Sequence, residues 1–85
     1  MSIMLEIDCP AELLAELHAD AEGMRRLLKD KTALALFKEG RLSSGLASRW
    51  LGEPRVHFLF RAMQEGAVLG ADSEDEVRRE LAGLE

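Results

Sequence analysis

Four arginines and a histidine crowd the middle of the chain: Arg41, Arg49, Arg55, His57 and Arg61. Guanidinium groups at this density hold phosphates, and an arginine or histidine at the start of an exposed helix donates to base edges. The chemistry on offer is nucleic-acid binding rather than bond making. Between residues 40 and 66 those arginines face only Glu53 and Glu65. The residues before carry five Lys/Arg against eight Asp/Glu, and those after carry Arg78 and Arg79 against Asp72, Glu74, Asp75, Glu76, Glu80 and Glu85. At a net charge of −5 this is an acidic chain with one basic island. Any attraction to DNA is weak per copy and rests on that island.

The island surrounds ASRWLGEPRVHF, residues 47 to 58. A helix-turn-helix needs a small residue where its helices approach, a glycine at the turn, and apolar residues that lock the second helix at a fixed angle. Ala47 or Ser48, Gly52, and Phe58 with Leu59 fill these places. In a DNA reader, Arg55, His57 and Arg61 would reach the bases while Arg41 and Arg49 clamp the backbone. Glu53 beside the phosphates and Pro54, which removes an N–H from the helix start, weigh against that reading. The alternative is a structural bend with solvated arginines.

Little else offers chemistry. His18 and His57 have no Cys, His or Asp at ligand spacing, so both read as surface residues. Ser43-Ser44-Gly45 lacks the strand-turn-helix setting of a nucleophile and reads as a helix cap. The acids of DSEDE, residues 72 to 76, lack calcium-loop spacing and suit a helix start. Cys9 is the sole cysteine, which leaves no disulfide within one chain and fits a reducing interior; it reads as a small apolar residue. Trp50 is expected to pack beneath the bend. No catalytic residue, metal site or cofactor is expected, and the chain is not expected to be an enzyme.

The elements that must position the island are mainly helical. Ile3, Leu5 and Ile7 alternate with polar neighbours, the period of a short strand over residues 3 to 7, whose partner would be AVLG at 67 to 70 or the same strand of a second subunit. Pro10 opens a short helix carrying Leu13, Leu14 and Leu17. Asp20 caps a longer one through Met24, Leu27, Leu28, Leu34 and Phe37, ended by Gly40. Its run ALALF, apolar nearly all round, predicts the most buried helix. The helix-turn-helix-like pair spans 43 to 66: Ser43 or Ser44 caps the first helix, Gly52 ends it, Pro54 restarts the chain and Gly66 closes the second. Ser73 and Glu76 have the spacing of a capping box for an acidic C-terminal helix over 73 to 85. Val77, Leu81 and Leu84 form its apolar stripe, either core or a docking face for a partner.

At 85 residues, 47% of them apolar and 32% charged, the chain is one domain spanning 1 to 85 that only marginally buries its own core. A homodimer is expected, with Phe60, Leu81 or Leu84 left bare in a monomer. No run is long enough to span a membrane and no secretion signal opens the chain, which predicts a cytoplasmic protein.

The stretch LALFKEGRLSSGLASRWLGEPRVHF, residues 34 to 58, resembles the small prokaryotic proteins grouped as uncharacterised protein family 0175, described as antitoxins containing a helix-turn-helix. Leu34, Ala35, Phe37, Glu39, Gly40, Leu42, Ser43, Gly45, Ala47, Gly52, Arg55 and Phe58 carry the likeness, and the opening LEIDCPAEL and closing SEDEVRREL fit as well. The resemblance implies an antitoxin-like protein that neutralises a cognate toxin, a nuclease of the PIN type, and regulates its own operon by binding operator DNA. The partner surface would then be Phe60, Val77, Leu81 and Leu84, with Glu74 and Asp75 steering. A DNA-binding regulator without a toxin, or a purely structural helical module, are the alternatives.

Overall fold

Four of the helix ends in this protein are closed by one backbone device. In the computed structural model, which describes residues 1–83, the chain forms α1 (Ala11–Glu16), α2 (Ala21–Lys38), α3 (Ser44–Leu51), α4 (Arg55–Gln64) and α5 (Ala71–Ala82). After α2, α3 and α4 the backbone turns left-handed at Gly40, Gly52 and Gly66, with φ of 76°, 70° and 91°. The N–H of the following residue then returns to a carbonyl five residues earlier: Arg41 to Leu36 at 2.9 Å, Glu53 to Ser48 at 3.0 Å, Ala67 to Ala62 at 2.9 Å. This is the Schellman lock, which satisfies carbonyls that the helix end would otherwise leave bare. His18, at φ 53°, does the same for α1, with Ala19 donating to Leu14 at 3.0 Å. The histidine thus closes the helix through its backbone.

Starts are capped as the sequence predicts at two helices. Asp20 accepts the Gly23 N–H at 2.7 Å, and Ser43 accepts that of Leu46 at 3.2 Å. The core then forms where α2, α3 and α4 meet. Ala33 and Leu34, Ala47, and Phe58 and Ala62 are buried together, with Phe37, Leu42, Leu51 and Ala67 packed around them. Three alanines at this junction let the backbones approach closely, and Phe37 meets Phe58 edge to face at 5.3 Å. The last helix lies on α4 and buries Val77.

Four expectations are corrected. No residue among those described forms a strand: residues 1–10 have no regular secondary structure, and Val68 within 67–70 is exposed. A strand needs an edge to hydrogen-bond to, and the helical body offers none. The helix carrying ALALF is not the most buried one: α2 buries Met24, Ala33 and Leu34 among its 18 residues and leaves Ala35 in solvent, whereas α4 buries Phe58, Leu59 and Ala62 among 10. Trp50 lies on the surface with the Lys29 ammonium 5.7 Å from its ring centre, because the bend is already filled by Ala47 and Phe58. Finally, α5 begins at Ala71, so Ser73 and Glu76 sit inside the helix and form no capping box.

Candidate nucleic-acid and partner interface

The bend is built from α3, the turn Gly52-Glu53-Pro54, and α4. Gly52 supplies the left-handed residue, and Pro54, at φ −61°, stands as the N-cap of α4 and contributes no side-chain cap. Ser48 is buried and donates its hydroxyl back to the Gly45 carbonyl at 3.0 Å, so this buried polar group is satisfied within α3. Phe58 and Leu59, fully buried, fix the second helix. Two helices joined by a short turn therefore stand where the sequence places them.

Its arginines divide into two groups. Arg55, at the head of α4, is tied to both neighbouring helices: its Nε donates to the Ser44 hydroxyl of α3 at 2.9 Å, and its guanidinium pairs with Glu76 and reaches Ser73 of α5 at 3.4 Å. Arg61 joins α4 to α2 and to the turn, 2.5 Å from Asp30 and 2.6 Å from Glu53. The Asp30 and Glu53 carboxylates, which accept hydrogen bonds from it, hold the Arg61 pKa above the ordinary arginine value. The first-turn position from which a DNA reader would address bases is thus satisfied from within the molecule.

Arg41, Arg49 and His57 form the second group. All three are exposed; Arg41 reaches Glu39 at 3.4 Å, while Arg49 and His57 have no side-chain hydrogen bond or ion pair among the described residues. They remain available to phosphate. Facing them in charge, α5 presents Asp72 and Glu80 to solvent, while Arg78 pairs with Glu74 at 2.8 Å and with the exposed Asp75 at 3.8 Å.

The stripe expected on the last helix splits. Val77 is buried by α4 and Leu81 is exposed, while Leu84 lies outside the described residues. Phe60 is exposed on α4. Five residues that the sequence reading did not assign to the arginines turn out to hold them: Ser44, Ser73 and Glu76 around Arg55, Asp30 and Glu53 around Arg61. The Ser-x-x-Glu spacing did signal that Ser73 and Glu76 share a face, but a capping box and an arginine receptor look identical in sequence. Among the described residues no group of three or more His, Cys, Asp or Glu is arranged to hold a metal ion, and no helix is long and apolar enough to cross a membrane.

No curated protein and no solved structure matches this chain. One family model does, that of the Uncharacterised protein family (UPF0175), which spans residues 1–85, and the chain therefore belongs to that family.

Proposed function

We propose that the protein is a non-enzymatic binding module of the antitoxin type, working in the cytoplasm as a homodimer and neutralising a protein partner. The observation that carries this reading is the internal neutralisation of the bend. Two of the three arginines in the helix pair, Arg55 and Arg61, are held by Glu76, Asp30 and Glu53, while α5 shows Asp72 and Glu80 outward. Such a surface suits a basic protein better than a polyanion. The partner class follows from the resemblance stated above: a PIN-type nuclease, whose surface must attract nucleic acid and would attract Asp72, Glu74, Asp75 and Glu80 in the same way. Leu81 and Phe60 would add apolar contact, and Val77 anchors α5 to the body from within.

A second activity, binding of operator DNA, is supported by the exposure of Arg41, Arg49 and His57 on or beside the helix pair. It would be weak in one copy and strengthened when two copies present their pairs together. The test is to purify the chain together with the product of the gene beside its own, expected on this reading to be a small nuclease. Co-elution as a stable complex is the expected result, and two separate peaks at micromolar concentration would refute the reading.

A further inference from the structure

Residues 2–17 make almost no use of the helical body, and their pattern is self-complementary. Ile3, Leu5 and Ile7 are 78%, 80% and 68% exposed, although they alternate as one face of a strand. The next element, α1, contains no buried residue, and Leu13 and Leu17 also face solvent. An apolar strand face beside an unpartnered apolar helix is costly to leave in water and lacks only a second strand.

We propose that the occupant is the same segment of a second copy, paired as a symmetric antiparallel ribbon with Leu5 opposite Leu5. This deepens the dimeric part of the reading above and does not depend on a toxin partner. The charges select the arrangement. With Leu5 on the two-fold axis, Ile3 lies opposite Ile7 on one face, while Ser2 lies opposite Asp8 and Met4 opposite Glu6 on the other. No acid faces an acid. Moving the axis to Glu6 places Glu6 against Glu6, and a parallel in-register pair places Glu6 and Asp8 beside their own copies, all of which are unfavourable. Moving it to Met4 leaves Asp8 beyond the paired region and shortens the overlap. Pro10, which lacks an N–H, ends the ribbon and turns the chain into α1. A two-stranded ribbon is marginal alone, and Leu13 and Leu17 supply the apolar layer that covers its Ile3, Leu5 and Ile7 face.

The experiment is light scattering on the full chain, on two variants and on their mixture, followed by cross-linking. The wild type is expected at twice the chain mass at micromolar concentration. Leu5→Asp and Leu5→Lys, each placing like charges opposite one another, are each expected at monomer mass with unchanged helicity, and their equimolar mixture is expected to return to dimer mass. In a Cys9→Ser background, Ser2→Cys combined with Asp8→Cys is expected to cross-link on oxidation. Ser2→Cys alone is not, because its two copies lie about 20 Å apart along the ribbon. A monomeric wild type would overturn both the ribbon and the dimer. A dimeric Leu5→Asp, or cross-linking by Ser2→Cys alone, would overturn the ribbon and leave the dimer standing.

Discussion

Replacing Arg55 by methionine, which keeps much of the aliphatic stem and removes the guanidinium, separates a structural arginine from a DNA-reading one. In the folded chain that guanidinium bridges Ser44 of α3 to Ser73 and Glu76 of α5. The side chains of Arg55 and Glu76 are 40% and 41% exposed, so solvent screening holds the ion pair itself to about 0.5–1 kcal/mol. Ser44 is buried, and losing its 2.9 Å bond from Arg55 adds about 1 kcal/mol for a hydroxyl left without that partner. Together the loss is about 2 kcal/mol, which in a domain of this length lowers Tm by roughly 10 °C. Urea and thermal unfolding followed by circular dichroism read this directly. A double-mutant cycle with Glu76→Gln should return a coupling of about 0.5–1 kcal/mol, since the two residues touch. A Tm within about 2 °C of wild type, together with a tenfold or greater loss of affinity for the DNA upstream of the gene, would refute the reasoning: Arg55 would then be free to read bases.

The other predictions concern the turn, the ion pairs and the exposed arginine. Gly52→Ala should destabilise by about 1–2 kcal/mol through the left-handed backbone alone, because an added Cβ meets nothing within 4 Å, whereas Gly45→Ala inside α3 has the same open space and should stabilise by about 0.5–1 kcal/mol; thermal melts compare the two. Arg61, with its folded pKa raised, contributes stability that is full below the ordinary arginine value and is lost only as pH rises through the folded value, so the difference in stability between wild type and Arg61→Met should stay constant between about pH 7 and about pH 9 in urea titrations. Arg49→Ala should weaken binding to all DNA sequences alike and reduce the salt slope by about 1, as measured by fluorescence anisotropy across a salt series.

The helices were legible because their signals are local. Asp20 and Ser43 cap where their types and positions suggest, and Gly40, Gly52 and Gly66 stop helices by the one conformation that glycine adopts freely. What was not legible depends on partners distant in sequence. The alternation of Ile3, Leu5 and Ile7 describes a strand, but pairing needs a second edge that this chain does not supply to itself. His18 adopts a left-handed cap that its residue type does not announce. Whether an arginine is solvated or spent depends on carboxylates brought in by the fold: Asp30 lies 31 residues from Arg61 and Glu76 lies 21 from Arg55 in sequence, beyond any spacing rule. The position of the basic island is plain in the sequence, while the share of its charge left unpaired is set by tertiary packing.

The central claim, that this acidic helical module acts on a protein through α5, is tested most directly in vitro by inhibition of the proposed partner, a PIN-type nuclease taken from the gene's neighbourhood. Asp72, Asp75 and Glu80 are exposed, so Asp72→Lys/Asp75→Lys/Glu80→Lys reverses charge at solvent-facing positions of α5 and leaves the buried Val77 in place. The account predicts that wild-type protein stops RNA cleavage at stoichiometric concentration, and that the reversed variant, equally helical, needs at least a hundredfold more. Inhibition by the variant at the wild-type concentration, or cleavage unaffected by either protein, would contradict it.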